Sequence, residues 1–222
     1  MLLIDIDGPS AVGKTTVIEL LRKELSNSVT VDELLMQKTN PYSNWETPSE
    51  FLKKQLWFFD NTLQRYSHAK IISESDMIQI NDIGIIDVII HTRIYPVANS
   101  LPWNVYPQFK NTVKKLYQNI NLANIIIYLY ASEETLKIRK QYDTKRIRNA
   151  FESNMKLYSY QKEFYEMLMR NISEKVFCID TELDSGDLMI KIKETISKHM
   201  NLTAFQLFDL LDLTDSFFKS YN

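Results

Sequence analysis

The stretch Gly8-Pro9-Ser10-Ala11-Val12-Gly13-Lys14-Thr15 decides the fold. It matches the pattern G-x-x-x-x-G-K-[ST] at every defined position. The residues before it, Leu2 to Asp7, form a short apolar run typical of a strand, and Lys14 to Asn27 carry apolar residues at helical spacing. Strand, glycine-rich loop and helix in this order predict a phosphate-binding loop.

The residue types of the loop suit this chemistry. The chain has 4 glycines, and two of them lie in the loop, where they let the backbone N–H groups of Ser10 through Lys14 converge on phosphate oxygens. Lys14 would reach the β- and γ-phosphates, and the Thr15 hydroxyl would hold Mg²⁺. The alternative is an ordinary turn before a helix, with an exposed lysine.

Length and composition limit the remaining possibilities. With 222 residues and 45% hydrophobic content, one domain is expected. A net charge of -2 argues against binding to long nucleic acids or anionic membranes. No apolar run approaches the roughly 18 residues of a membrane span, so the cytoplasm is the expected compartment. The single cysteine, Cys178, excludes an internal disulfide and a cysteine-based zinc cluster.

Apolar strands and amphipathic helices alternate along the chain. The predicted strands are Leu2–Asp7, Ser28–Val31, Ile83–Ile90, Asn124–Tyr130 and Lys175–Asp180. The predicted helices are Lys14–Asn27, Ser49–Lys70, Gln108–Ile120, Glu133–Gln141, Ala150–Arg170 and Asp187–His199. This order predicts an α/β fold, a five-stranded parallel sheet with helices on both faces and a ligand beyond the carboxyl ends of the strands.

The end of the chain has a different pattern. Residues 1–200 are expected to form the main domain, and within 201–222 the segment Leu202 to Tyr221 alternates aromatic and acidic residues. A short amphipathic helix packed on the same domain is expected, with a partner-binding tail as the alternative.

Further motifs appear in a defined order. They are Ile6-Asp7-Gly8-Pro9, Glu33 after the second strand, Asn40-Pro41-Tyr42, Gln55-Leu56-Trp57-Phe58-Phe59 with Arg65, and Ile127-Tyr128-Leu129 with Arg139. Over roughly residues 2 to 180 the chain resembles the deoxynucleoside kinase and thymidylate kinase superfamily. The phosphate loop is specific alone, and the other motifs count by order and spacing. The resemblance implies transfer of the ATP γ-phosphoryl group to a nucleoside hydroxyl or a nucleoside monophosphate, with Mg²⁺, under a mobile basic lid. It also admits a homodimer.

The resemblance also implies roles for residues around the acceptor. Glu33 matches the carboxylate that acts as base near the 5′-hydroxyl. Asp32 beside it could do the same. The structural alternative is that Glu33 is a solvated surface residue. Gln55 matches the glutamine whose amide pairs with a base edge. Tyr42 and Phe59 would border the same pocket, although the aromatic residues beside Gln55 also suit a core.

The acidic residue at the end of the third strand is expected to be Asp87, as a substrate and metal contact. The family follows this residue with arginine, whereas here Val88 follows. Arg93 would then substitute for the missing guanidinium, unless the acceptor is held differently. For His91, polar lining and a structural role both stay open.

The lid is expected near residues 141–149. Arg146 and Arg148 are its preferred catalytic arginines, and Arg139 is the second choice. The other expected catalytic residues are Lys14 and Glu33. The alternative for the lid segment is a solvated charged face. Arginines suit a lid because phosphoryl transfer spreads negative charge that they can stabilise. The nucleotide contacts expected in total are Gly8, Ser10, Ala11, Val12, Gly13, Lys14, Thr15, Thr16 and Arg139.

Four functions remain open on this basis. The favoured one is an ATP-dependent (deoxy)nucleoside kinase. Two rivals are also enzymes, a nucleoside monophosphate kinase of thymidylate type and a kinase of another small alcohol. The last is a nucleotide-binding regulatory module without catalysis. Two observations favour the last of these. Val88 replaces the family's arginine, and the spacing of the arginines near 141–149 departs from the family's lid pattern.

Overall fold

Five parallel strands form one sheet in the order β2-β3-β1-β4-β5. The computed structural model describes residues 1–31, 45–72, 77–117, 120–143 and 151–219. The strands are β1 (Leu2–Asp7), β2 (Ser28–Val31), β3 (Ile78–Asp82), β4 (Ile125–Tyr130) and β5 (Val176–Asp180). The predicted fold class is confirmed, because every strand pair is parallel and helices cover both faces.

Eight helices connect and cover the strands within the described ranges. They are α1 (Lys14–Glu24), α2 (Pro48–Ile72), α3 (Ile85–Ala98), α4 (Tyr106–Leu116), α5 (Glu133–Tyr142), α6 (Phe151–Asn171), α7 (Ser185–Lys198) and α8 (Leu207–Phe218). None of these helices combines the length and the hydropathy that a bilayer crossing requires.

The alternation of β1 separates two layers of core. Leu2, Ile4 and Ile6 face the layer that contains α1 and α7. Leu3 faces the layer that contains α2, α3, α4, α6 and α8. Since side chains alternate along a strand, Asp5 and Asp7 point to the same layer as Leu3.

The predicted third strand, Ile83–Ile90, is wrong. Most of that segment belongs to α3, and the third strand is Ile78–Asp82. Helix α3 is buried nearly all round, because it packs against α2, α4, α6 and α8, so its sequence lacks the polar face of a surface helix. The true strand contains Gln79, Asn81 and Asp82, which are buried polar residues.

The C-terminal helix α8 packs on the domain through its apolar face. Leu210 and Leu211 are fully buried, and Phe218 stacks on Phe164 of α6 at 6.1 Å between ring centroids. On the other side of the helix, Asp212 accepts hydrogen bonds from lysines of α4, at 3.0 and 3.1 Å. Apolar burial and ion pairs therefore hold α8 against α4 and α6.

Candidate active site

The phosphate loop curls tightly in front of α1. Its φ angles are positive at Gly8 (144°), Ala11 (67°) and Gly13 (104°). A Cβ atom on Gly8 would lie 2.4 Å from the Leu129 carbonyl oxygen, so this position requires glycine. The loop ends where α1 begins at Lys14, and its backbone N–H groups lie at a helix N-terminus that favours phosphate.

The Lys14 ammonium group lies over the loop. It donates hydrogen bonds to the carbonyl oxygens of Gly8 (2.6 Å) and Pro9 (3.1 Å). Phosphate oxygens carry charge and accept stronger hydrogen bonds than neutral carbonyls. A bound phosphate can therefore replace these two carbonyls as the acceptor for the Lys14 ammonium group. Thr15 and Thr16 follow on the first turn of α1, half-buried and exposed respectively.

Arg139 on α5 reaches the outer side of the loop. Its Nη1 atom donates to the Val12 carbonyl oxygen (3.0 Å) and to Thr181 Oγ1 (2.7 Å), and its Nη2 atom donates to the Thr181 carbonyl oxygen (2.7 Å). The guanidinium therefore joins α5 and the residue after β5 to the phosphate loop. A direct contact between Arg139 and nucleotide stays a prediction.

Asp7, the residue before the loop, has a fully buried carboxylate. It accepts hydrogen bonds from the Gly84 backbone N–H (2.6 Å) and from the Tyr165 hydroxyl (2.7 Å). Burial raises the pKa of Asp7, and these two donors together with the charge of Lys14 oppose that rise. Asp7 thereby connects β1 to the start of α3 and to α6.

Asp5 is buried on the same face of β1, two residues earlier. Asn81 Nδ2 donates to it at 2.8 Å, and the Tyr66 hydroxyl donates to its other oxygen. Burial, followed by the nearby charge of Asp7, raises the pKa of Asp5 to about 7. The two carboxylates therefore form an acidic pair under the phosphate loop.

The end of β3 carries a strained residue. Asp82 closes the strand beside Ile6 of β1, and the next residue, Ile83, has a φ of 67°. This angle is costly for a β-branched residue and is typical of functional sites. Arg65 of α2 holds the turn, since its two terminal nitrogens donate to the carbonyl oxygens of Asp82 (2.9 Å) and Ile83 (2.8 Å).

We expected Asp87 to end the third strand, and this is wrong, because that strand ends at Asp82. Asp87 lies in the first turn of α3, where Gln161 of α6 donates a 3.1 Å hydrogen bond to its Oδ1 atom. The residue after Asp82 is Ile83, so the arginine of the family pattern is missing at the true strand end as well as at Val88.

The oxygen groups at this edge of the sheet suit Mg²⁺. Thr15 supplies a hydroxyl and Asp82 supplies a carboxylate at the carboxyl end of β3, whereas both oxygens of the buried Asp7 carboxylate already accept hydrogen bonds. No three acidic, histidine or cysteine residues form a metal cage in the described ranges. This donor set fits Mg²⁺, which keeps several waters and binds through one or two carboxylates and substrate phosphates.

Helices α2 and α3 pack side by side, and we take the line of contact between them, which leads away from the sheet, as the candidate acceptor cleft. They run antiparallel, and contacts join them along their length. From the sheet outward these contacts are Ile85 with Tyr66, Thr92 with Gln55, and Tyr95 with Phe51. Gln55 is 2% exposed, and its Oε1 atom lies 3.3 Å from the Thr92 hydroxyl. The structure therefore places Gln55 in this cleft.

Aromatic rings line the outer end of the cleft. Phe51 stacks on Tyr95 with 5.3 Å between ring centroids, and Trp45 lies 5.0 Å from Phe51 and 4.7 Å from Tyr95. His91 lies 5.0 Å from Tyr95. Flat apolar surfaces beside a buried amide are typical of sites for planar ligands.

Phe59 is a core residue rather than the substrate contact that we expected. Its ring is fully buried and packs against Phe109 (5.6 Å) and Tyr117 (5.4 Å), on the side of α2 that faces α4. Phe58, the neighbouring aromatic residue, is only partly buried and lies three residues after Gln55 on α2.

The location of Arg93 conflicts with its expected role at the acceptor phosphates. It lies eight residues from the start of α3, about 12 Å along the helix axis. Its guanidinium packs against the rings of Tyr106 (5.7 Å) and Phe218 (5.5 Å), between α4 and α8. The position of Arg93 makes it a packing residue on the side of α3 that faces α8.

Several expected site residues lie outside the described residues. They are Asp32, Glu33, Tyr42, Arg146 and Arg148. Their roles as base, pocket wall and lid stay predictions.

Sequence reasoning missed the buried acids Asp5 and Asp7 before the loop, and the contact of Arg65 with the turn after β3. Asp5 and Asp7 interrupt an otherwise apolar strand, and charged residues in a buried strand signal partners or function. Arg65 was noted only as part of the family resemblance. Its hydrogen bonds to a turn seventeen residues away have no signal in the local sequence.

Comparison with known proteins gives a clear answer for the fold. No protein-family model matches this sequence, and no characterised protein matches it by sequence. Among solved structures, deoxyadenosine kinase from M. mycoides with bound dATP has a TM-score of 0.68 at 21% identity, covering 89% of this chain and 100% of that chain. Thymidylate kinase from Candida albicans has a TM-score of 0.67 at 15% identity, covering 92% of this chain and 97% of that chain. The chain therefore has the fold of P-loop nucleoside and nucleotide kinases, as its sequence motifs predict.

Proposed function

We propose that this chain transfers the γ-phosphoryl group of ATP to the 5′-hydroxyl of a (deoxy)nucleoside. The observation that carries the proposal is the placement of the Gln55 cleft relative to the phosphate loop. Similarity of fold to deoxyadenosine kinase and thymidylate kinase supports the same reaction class.

In this proposal the nucleoside lies along the cleft, with its base at Gln55 and its sugar toward the phosphate loop. Arg65 of α2 contacts the turn after β3, next to the strand that enters the phosphate loop. Gln55 lies ten residues earlier on the same helix, about 15 Å away along the axis. A base paired to the Gln55 amide and sandwiched by the aromatic rings would direct its sugar toward the phosphate loop.

The residues around the loop would then act on the phosphates. Lys14 and the N-terminus of α1 bind the β- and γ-phosphates of ATP and stabilise the charge that develops during transfer. Thr15 and the carboxylate of Asp82 would hold Mg²⁺, which neutralises phosphate charge when it is bound. Glu33, by the family resemblance, would accept the proton of the 5′-hydroxyl, and Arg146 and Arg148 would close over the phosphates.

The second candidate is transfer to a nucleoside monophosphate. The similarity to thymidylate kinase favours it. Glu33 favours a nucleoside instead, because a monophosphate acceptor brings its own nucleophilic oxygen and needs no base to accept a proton.

One assay separates these reactions. ATP consumption and product mass are measured with each common nucleoside and with each nucleoside monophosphate. The proposal expects a nucleoside 5′-monophosphate as product, and a strong fall of kcat in Glu33→Gln, about 10²-fold or more. Products formed only from monophosphates, with a normal kcat in Glu33→Gln, would support the second candidate. Absence of transfer to every acceptor would refute both.

A further inference from the structure

The cleft between α2 and α3 contains polar groups among aromatic rings. We call it the α2–α3 cleft and define it by Phe51, Lys54, Gln55 and Phe58 of α2 and by His91, Thr92 and Tyr95 of α3. These residues recur at intervals of three and four, so on each helix they share one face. Gln55 accounts for one polar group of the cleft, and the proposed function gives no role to Lys54.

Lys54 is held by aromatic faces rather than by an acid. Its Nζ atom lies 5.1 Å from the centroid of the Trp45 ring and 5.9 Å from that of Phe58. No carboxylate forms an ion pair with it among the residues that the structure describes. Burial lowers the pKa of Lys54, as expected for an ammonium group that lacks an acidic partner. The position therefore supplies a positive charge at a site built for a planar ligand.

The other polar groups of the cleft do not discriminate between ligands by themselves. The amide of Gln55 offers both a donor and an acceptor. Burial, followed by the charge of Lys54, lowers the pKa of His91 to about 4, so its ring is neutral at pH 7 and also offers one donor and one acceptor. Lys54 differs from both, because an ammonium group donates hydrogen bonds and accepts none.

We propose that Lys54 selects nucleobases that present a carbonyl oxygen to the cleft over bases that present an amino group at the same position. The proposal rests on the proposed function and adds its substrate class, the oxo bases. An oxo oxygen accepts a hydrogen bond from the ammonium. An exocyclic amino group would place two donors against each other and leave the half-buried ammonium without an acceptor.

The test uses pairs of acceptors that differ in the exocyclic group and the adjacent ring nitrogen. These are deoxyinosine against deoxyadenosine and deoxyuridine against deoxycytidine, or the corresponding 5′-monophosphates if those are the accepted form. The wild-type protein is expected to show the higher kcat/KM with the oxo member of the accepted pair. Lys54→Met keeps the length and apolar contacts of the side chain, and it is expected to lower kcat/KM for the oxo member about 10- to 100-fold. It should change the amino member less than about threefold.

Two matched variants separate selection from general damage. Lys53→Met removes a charge from an exposed neighbour on the same helix and is expected to leave the oxo-to-amino ratio unchanged. Lys54→Arg keeps a charged donor and is expected to retain the oxo preference. Wild-type preference for the amino member, or an equal loss for both members in Lys54→Met, would overturn the proposal while leaving phosphoryl transfer intact. If no acceptor is phosphorylated, the proposed function fails, and the role of Lys54 is then tested by thermal-shift binding of the same four nucleosides. Stabilisation by the oxo nucleosides that Lys54→Met abolishes would support that role. Absence of oxo-selective stabilisation in the wild-type protein would overturn it.

Discussion

The Tyr165 hydroxyl donates a 2.7 Å hydrogen bond to the buried carboxylate of Asp7. This contact joins α6 to the strand that enters the phosphate loop. Helix α6 begins at Phe151, directly after the segment in which the lid arginines are predicted. Tyr165 therefore fixes the strand that enters the phosphate loop against the helix that follows the predicted lid segment.

Removing this hydroxyl is expected to destabilise the domain. Tyr165→Phe keeps the ring, which stacks on Tyr128 at 4.1 Å, but leaves a buried carboxylate with one donor fewer. The free energy of unfolding should fall by about 1–3 kcal/mol, measured by chemical denaturation. Tyr142→Phe is the control, since Tyr142 is 80% exposed and should change stability very little. Equal stabilities of the two variants would show that the contact with Asp7 contributes nothing.

Stability is expected to fall as the pH rises from about 4 to about 7. Burial and the charge of Asp7 raise the pKa of Asp5 to about 7 in the folded protein, so folding favours the protonated acid. Its contribution is complete below the unfolded pKa of about 4 and is lost as the pH rises through the folded value. The size of this loss is on the order of a few kcal/mol.

Asp5→Asn isolates this contribution, because asparagine stays neutral at every pH. Denaturation curves from pH 4.5 to 8 are expected to show the variant gaining stability relative to the wild-type protein as the pH rises. A difference between the two proteins that is constant with pH would contradict the assignment.

The two loop glycines are expected to differ in their tolerance of a methyl group. At Gly8 a Cβ atom would meet the Leu129 carbonyl oxygen at 2.4 Å, whereas at Gly13 no atom lies within 4 Å. Gly13→Ala should cost about 1–2 kcal/mol, from the left-handed backbone alone. Gly8→Ala should cost clearly more, because backbone must also move. Denaturation midpoints measure the order, and the reverse order would show that the loop is built differently.

The C-terminal helix is expected to be part of the domain in solution. Leu211 of α8 is fully buried, so Leu211→Ala should lower the free energy of unfolding by about 2–5 kcal/mol. Phe208→Ala, at a position 36% exposed on the same helix, should cost less. A detached, partner-binding tail would instead leave unfolding unchanged in both variants.

Local patterns in the sequence predict most of this architecture. The phosphate loop, β1 and β2 follow from the motif and from short apolar runs. The third strand does not, because its polar residues are stabilised by distant partners. Gln79 donates to the Arg65 carbonyl oxygen of α2 (3.2 Å), Asn81 donates to Asp5 of β1 (2.8 Å), and neither partner lies in the strand itself.

The site was predictable in the same uneven way. Lys14 begins α1 and Gln55 lies on α2, as the sequence pattern predicts, and their contacts with nucleotide and base stay predictions. Arg93 does not lie where we expected it, because the third strand ends at Asp82 rather than near Ile90, so Arg93 lies eight residues into α3 instead of directly after a strand. The buried pair of Asp5 and Asp7 depends on which face of β1 meets α2 and α6, and this is a property of the whole fold.

The central claim is that the phosphate loop transfers the γ-phosphoryl group of ATP to a nucleoside. The most direct measurement follows label from γ-labelled ATP into nucleoside 5′-monophosphate, for the wild-type protein, Lys14→Ala and Lys23→Ala, an exposed lysine of α1. The wild-type protein and Lys23→Ala are expected to transfer label at similar rates, and Lys14→Ala at least about 10²-fold more slowly, because one preorganised charge is worth several kcal/mol in the transition state. Equal transfer by all three proteins, or no transfer by any of them, would contradict the claim.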